Sequence, residues 1–575
     1  MRVTVKSMLV FVLALHGLVA AQDTAPPRVV ERAAQADAGM SSGLVRIQDE
    51  ETIVFFGDSI TEQNLYSAYL ETFLLSRFPQ KKLAIFNFGW GGDTAAGGNS
   101  RFGRDVSTTR PSLVFVNFGM NDGGYREYDE ATYGIYMHSQ AALADTIAAA
   151  GARQVLFTTS PVDDALRGDK GVYNETLSRM ARGVVALGRE RQIPVIDLFH
   201  PMLDVQRRAK QQKPDFTMIP DTIHPDPVGH LVMAYLAMRR IEAPREVGEI
   251  EVNGTAVAAR GVTIESAVPG DGLVRFDLKL PFLPFYVPAD ARAALDLVPL
   301  QDEVNRFTLR GTPPPGEQAL LLSVEGRIAG VFTAEELARG VDLALLDRTP
   351  WAMAGRVLWE AARFRWEKHF EAWRRMGLQR PALMMPELPS FDPHVRAQRA
   401  YADELGRSLG ALARPGTYHV TLATPGDKVP IHSLELSPTY PFDSFDTAHP
   451  PEKDARSVRW TSVPVENGQV DLGAHFRGAN DVISYARLAL EADRATTLHL
   501  AMGSDDGLAV FLDGRRVFAH DVRRGLRRGE DEIDLPLAAG RHELLFKVTQ
   551  AGGGYALAIE AQVLGKAKVR QAATP

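Results

Sequence analysis

Thr52–Ile53–Val54–Phe55–Phe56–Gly57–Asp58–Ser59–Ile60–Thr61 decides how this chain is read. Its first five residues are mostly β-branched or aromatic. A continuous apolar run of that length predicts a strand buried on both faces. The glycine that ends the run permits a sharp turn. A serine just beyond it stands at the carboxyl end of a central strand, where open α/β sheets place their ligands. Taken alone, the tripeptide Gly57–Asp58–Ser59 is better read as an ordinary strand-to-helix turn with serine as a cap. Partners elsewhere in the chain have to decide.

Working outward, Leu65, Tyr69, Phe73 and Leu74 fall at helical spacing and predict an amphipathic helix. A strand over 83–88 runs into Gly89–Trp90–Gly91–Gly92–Asp93–Thr94, a glycine cluster that lets the backbone approach a ligand closely. A strand over 113–118 runs into Gly119–Met120–Asn121–Asp122. Helices over 131–150 and 173–189 alternate with strands over 154–158 and 194–196. Asp221–Thr222–Ile223–His224–Pro225 and a closing helix over 228–238 complete the pattern. Such alternation predicts βαβ units, a parallel sheet and right-handed crossovers. Ser59, the Gly92 turn and Asn121 then share one sheet edge, and the Asp221/His224 pair reaches it from a late loop.

Gly57–Asp58–Ser59, Gly91–Gly92–Asp93–Thr94, Gly119–Met120–Asn121–Asp122 and Asp221–Thr222–Ile223–His224–Pro225 resemble, in order, the four blocks of the SGNH/GDSL hydrolase family. The resemblance spans residues 53–240, about a third of the chain. It implies a three-layer α/β/α, flavodoxin-like fold and the hydrolysis of esters, often acetyl esters on sugars. It assigns the oxyanion hole to the backbone N–H groups of Ser59 and Gly92 and to the side-chain amide of Asn121.

The chemistry of the residues agrees. A serine hydroxyl is a weak nucleophile and needs a base within hydrogen-bond reach. His224 is the candidate base, because imidazole takes and returns a proton near neutral pH. Asp221, three residues earlier, can hold the ring and stabilise the imidazolium. Pro225 biases His224 toward extended backbone. Asp58, Asp93, Thr94 and Asp122 are read as bracing hydrogen bonds. Trp90 beside the oxyanion turn is a candidate substrate-binding residue, with core packing an equal alternative. No metal or other cofactor is expected: His224 and His230 lack a His-Glu-x-x-His arrangement. The Gly-x-Ser-x-Gly elbow and the Gly-x4-Gly-Lys-Ser/Thr phosphate loop are also absent.

The chain has 575 residues, enough for about three or four domains. Its composition is 45% hydrophobic and 23% charged, that of a globular protein with a large core. A net charge of −7 supplies no basic field for nucleic acid. The absence of cysteine removes disulfides, thiolate metal sites and a thiol nucleophile. Arg2 and Lys6, the apolar run 8–15 and the small residues at 20–21 predict a cleaved secretory signal over 1–21, followed by a loose tail over 22–42. The expected product is an exported, periplasmic or extracellular protein with no stable membrane anchor.

The hydrolase domain is expected over 43–243. Turn signals at Asp271–Gly272 and Glu325–Gly326 predict a small antiparallel β-sandwich over 244–333. A helical region and linker follow over 334–429. Within it, Trp351, Trp359, Trp366 and Trp373 mark one face of a long helix, expected to pack against another domain, with a sugar-binding aromatic platform as the alternative. A Pro-rich loop over 381–393 and a second helix over 401–412 complete that region. A C-terminal β-sandwich is expected over 430–568, with a hairpin at Asp513–Gly514. Its Gly503–Ser504–Asp505–Asp506–Gly507 segment resembles PA14-like and galactose-binding-like accessory sandwiches. There, calcium binding and simple turn solvation are both open for Asp505 and Asp506. The leading function is an exported serine esterase that removes acetyl groups from a carbohydrate or small ester. A lysophospholipase, thioesterase or arylesterase is an alternative. So is a glycan-binding surface protein with a vestigial hydrolase domain.

Overall fold

Five parallel strands carry the first domain: β1 (Thr52–Gly57), β2 (Ala84–Gly89), β3 (Leu113–Asn117), β4 (Arg153–Phe157) and β5 (Val195–Ile196). Their order is β2-β1-β3-β4-β5. The computed structural model describes residues 43–378 and 392–573. The expected signal and tail (1–42) and most of the Pro-rich stretch (379–391) lie outside the described residues.

β1 sits between β2 and β3, with Val54 opposite both Phe86 and Val114. Its apolar side chains, from Ile53 to Phe56, are fully buried. That double-sided burial is what an unbroken apolar run encodes. The helices on the two faces are α1 (Ser59–Glu62), α2 (Tyr66–Arg77), α3 (Ala95–Asp105), α4 (Glu130–Ala149), α5 (Val172–Arg191), α6 (Phe199–Gln212) and α7 (Pro227–Met238). β1 and β3 flank the point where strand order reverses, which is where doubly wound sheets open a crevice. The three-layer α/β/α, flavodoxin-like reading of this domain therefore holds.

α2 departs from the expected one-sided helix, because every one of its residues is buried. The reason is a covering helix, α8 (Pro350–Phe370), from the accessory region. Trp359 stacks on Tyr69 with ring centroids 4.6 Å apart. Glu71 on the same face accepts from Arg365 at 2.5 Å and from the Trp366 indole at 2.6 Å. Burial drives the Glu71 carboxyl up, and Arg365 and Trp366 act against it. At the end of α2, buried Arg77 donates to the carbonyls of Pro244, Leu283 and Val304 and to Asn305 Oδ1. Removal from water lowers its guanidinium to about 9. The tryptophan stripe is thus packing: Trp351 lies in the core of the middle sandwich, Trp359 on α2, and Trp366 and Trp373 in the core of the first domain.

The middle sandwich does not end at 333. One sheet has four strands and includes Val341–Asp342; the other has five and includes Thr417–Ala423. Thr417–Ala423 lies between Ala319–Val324 and Leu273–Lys279. The helices over 350–412 are therefore an excursion from which the chain returns to finish the sandwich, and 334–429 is not a purely helical linker. The second helix is also longer than expected, Asp392–Leu412. The expected hairpins are present around Asp271–Gly272 and Glu325–Gly326. After Pro425 the chain forms the last two sheets, with Leu508–Leu512 and Arg515–His520 pairing across Asp513–Gly514. In that domain both carboxylate oxygens of Asp506 accept backbone N–H groups, from Arg524 and Ala551.

Breaking the buried Arg365–Glu71 pair tests how firmly α8 is bound to the first domain. Arg365→Ala leaves a buried carboxylate unpaired and is expected to destabilise by about 3–5 kcal/mol in denaturant unfolding. The double variant Arg365→Ala/Glu71→Leu is expected to recover much of that loss.

Candidate active site

The turn that opens the site is forced by close packing. A Cβ on Gly57 would stand 2.3 Å from both the Asn117 carbonyl oxygen and Thr61 Oγ1. With hydrogen there instead, β1 passes directly into α1. The Asp58 side chain caps α1, accepting from the Ile60 N–H at 3.0 Å. Ser59 is the first residue of that helix. Its N–H belongs to the turn whose donors have no intrahelical acceptor.

Ser59 Oγ lies 2.8 Å from His224 Nε2, and His224 Nδ1 lies 2.6 Å from Asp221 Oδ2. Asp221 is an acceptor toward Nδ1, which places the proton there and leaves Nε2 to accept from the serine hydroxyl. The other Asp221 oxygen accepts the backbone N–H groups of His224 and Ile223, at 2.6 and 2.9 Å. Burial works to raise the Asp221 carboxyl, but those two N–H groups and the imidazole outweigh it and hold it below its ordinary value. The carboxylate is thus charged and fixed where an imidazolium would form.

The other two stations sit on neighbouring strand ends. Gly92 has φ +75°, a left-handed conformation that glycine adopts without a Cβ penalty. Its turn is tied down by Trp90 N–H to Gly57 O at 2.9 Å and Asp93 N–H to Trp90 O at 3.0 Å. Asn121 Nδ2 donates to the Asp93 carbonyl at 2.8 Å, and its Oδ1 accepts from the Tyr125 hydroxyl at 2.6 Å. An amide nitrogen carries two protons, so one is spent on the Gly92 turn and the second can serve a ligand.

Trp90 is half-buried, with the Arg374 guanidinium over its face at 4.1 Å and the Trp373 ring edge-on at 5.9 Å. One face of the candidate substrate-binding residue is therefore occupied by packing. His230 is structural: Nδ1 accepts the Tyr66 N–H and Nε2 donates to Gln63 Oε1. Burial lowers its imidazole to about 3.

Three acidic residues brace the site. Asp93 accepts from Arg101 Nε at 2.7 Å, and Arg101 also reaches the Gly57 carbonyl at 3.1 Å. Asp122 Oδ1 accepts the Ala95 N–H at the start of α3. Burial, augmented by the neighbouring carboxylates, raises Asp58 to about 8 and Asp122 to about 7. Arg101, Tyr125, Glu62 and Arg374 carried no sequence signal. Glu62 and Arg374 act through partners distant in sequence, and the short-range bonds of Tyr125 to Asn121 and Arg101 to Asp93 follow no helical or strand pattern.

Residues 55–232 match the model of the GDSL-like lipase/acylhydrolase family. No curated protein matches the chain. Among solved structures, a gut microbial diltiazem-metabolizing enzyme is similar at 24% identity and TM-score 0.59, over 66% of this chain and 99% of its own. That share exceeds the α/β domain, so the likeness of fold extends into the segment after it. A catalytic mutant of an acetylxylan esterase from Geobacillus stearothermophilus is similar at 21% identity and TM-score 0.29, over 34% of this chain and 97% of its own. A lipase/acylhydrolase from Enterococcus faecalis is similar at 23% identity and TM-score 0.28, over 32% of this chain and 92% of its own.

The raised carboxyls give stability a definite pH dependence. In the fold Asp122 keeps its proton to about pH 7, whereas the unfolded chain loses it near about pH 4. Between those values the unfolded state binds fewer protons, so stability falls as pH rises. Asp122→Asn is neutral throughout, and is expected to flatten the decline in unfolding free energy across that window. Equal slopes for variant and wild type would contradict the assignment.

Proposed function

We propose that the GDSL-like lipase/acylhydrolase domain at residues 55–232 is the catalytic part of a serine esterase that removes acetyl groups from carbohydrate, and that the chain is exported. The observation that carries the reading is the hydrogen-bonded series Asp221–His224–Ser59, at 2.6 and 2.8 Å. Ser59 Oγ attacks the ester carbonyl carbon while His224 Nε2 takes its proton. The carbonyl oxygen becomes an oxyanion, received by the N–H groups of Ser59 and Gly92 and the amide of Asn121. Collapse breaks the bond to the leaving alkoxide, which takes the proton from Nε2. A water then gives a proton to Nε2 and attacks the acyl-enzyme. Return of that proton to Ser59 Oγ releases the acid and restores the resting state.

A carbohydrate leaving group suits the neighbourhood. A cavity of about 550 Å³ adjoins the end of α1, beside the Ser59 turn and not containing Ser59 itself, lined by Glu62, Gln63, Asn64, Arg363 and Glu367 and by Phe364, Trp366 and Phe370. Amides and carboxylates set among aromatic rings fit a hydroxyl-rich ring better than an acyl chain. The relay is intact, which favours an active enzyme over a binding protein with a vestigial domain.

Ser59→Ala is expected to lower kcat/KM on nitrophenyl acetate by on the order of 10⁴-fold or more and to abolish acetate release from acetylated glycans. Unchanged hydrolysis by the variant would refute the assignment. Rates that rise with acyl-chain length would replace the carbohydrate reading with a lipid or thioester one. Asn121→Ala is expected to lower kcat by about 10²–10³-fold, measured under saturating substrate.

A further inference from the structure

Glu62 and Arg374 meet beside the site but have no place in the acyl-transfer steps. Glu62 ends α1, one turn after Ser59. One of its carboxylate oxygens, Oε2, accepts the N–H of Gly91. The other, Oε1, pairs with Arg374 Nη1 at 2.5 Å. Arg374 belongs to the π-helical turns Glu371–Leu378 that continue α8, so it arrives from the accessory region. The same guanidinium covers the Trp90 ring at 4.1 Å. A Cβ on Gly91 would stand 2.9 Å from Glu62 Oε2 and 4.0 Å from the Ser59 Cβ. The carboxylate, the glycine turn and the nucleophile are therefore immediate neighbours.

Gly91 and Gly92 are consecutive glycines, and the second has φ +75°. Nothing in their own side chains fixes the peptide between them, and glycine moves between backbone regions at little cost. An oxyanion donor must nevertheless be held in place before the reaction. The bonds at Trp90 and Asp93 hold the two ends of the turn, and the bond to the Gly91 N–H between them comes from Glu62. That charge-assisted bond anchors the peptide, provided the carboxylate is itself held. Arg374 holds it.

Resting on the Ser59 reading, we propose that Arg374 is a positioning residue for the ester-hydrolysis site. Through Glu62 it fixes the Gly91 peptide and thereby aims the Gly92 N–H at the oxyanion. The accessory helix thus completes the hydrolase site, and the α/β domain alone holds it incompletely.

The test uses the full chain and nitrophenyl acetate, with kcat expressed per Ser59 titrated in the burst phase, so that unfolded protein does not count. Arg374→Ala is expected to lower kcat about 10- to 100-fold with KM changed little. Glu62→Gln is expected to fall by a similar factor. The double variant should be no worse than the lower single, because both act through one peptide. Arg374→Lys, which keeps a cation, should recover part of the loss. Affinity for a boronic acid that forms a tetrahedral serine adduct should fall in step with kcat, while affinity for the acetate product does not. Unchanged kcat in Arg374→Ala, with Ser59→Ala inactive, would overturn this inference and leave the esterase reading standing. A loss confined to KM, or additive losses in the double variant, would also overturn it. Full activity in Ser59→Ala would instead overturn the esterase reading beneath it.

Discussion

No side chain fits at residue 57. The Asn117 carbonyl and the Thr61 hydroxyl both close on it, each 2.3 Å from where a Cβ would be. That contact locks the end of β1 to the end of β3 and to the first helical turn at once. Ser59 is therefore delivered at a defined height on the sheet edge, beside the strand end that carries Asn121. The capping carboxyl of Asp58 and the reach of Arg101 to the Gly57 carbonyl fix the same turn. A serine placed this way needs no freedom of its own. His224 and Asp221 come to it on a loop, where their short spacing lets one residue orient the other.

The rest of the chain is coupled to this edge by buried charge. Arg77 joins α2 to the middle sandwich through three carbonyls and an asparagine, and Arg365 joins α2 to α8 through Glu71. Such groups are costly to bury, and hydrogen-bond acceptors at most of their donors offset that cost. They bring direction to the packing: a guanidinium satisfied by four named acceptors admits one arrangement of the elements that hold them. The tryptophans of α8 then fill space that the arginines have defined. Accessory residues reach Trp90 and Glu62 only because α8 is seated in this way.

Much of the first domain was legible in the sequence. Strands buried on both faces are unbroken apolar runs, so β1 and β3 announced themselves, and the alternation with helices implied the parallel sheet. Hairpins were legible where the backbone must turn left-handed: Glu325, Gly326, Asp513 and Gly514 all have positive φ. The residues read as stations do lie together, because strand ends of a doubly wound sheet share an edge. What escaped were contacts with no periodicity. Glu71 and Arg77 lie outside the apolar spacing that predicts α2 and are buried by partners far along the chain. Thr417–Ala423 looked like part of a linker, because a strand that returns after a helical excursion carries no mark of the sheet it rejoins. The Glu62–Arg374 pair had no local signal of any kind.

The central claim is that Ser59 is the nucleophile of an ester hydrolase. A fluorophosphonate, which reacts with activated serine hydroxyls, tests it most directly when adduct position and residual esterase activity are measured on the same samples. The account predicts one adduct per chain, located on Ser59 by peptide mass, with activity lost in proportion to labelling and no labelling in His224→Ala. Ester hydrolysis that persists with Ser59 fully labelled would contradict it.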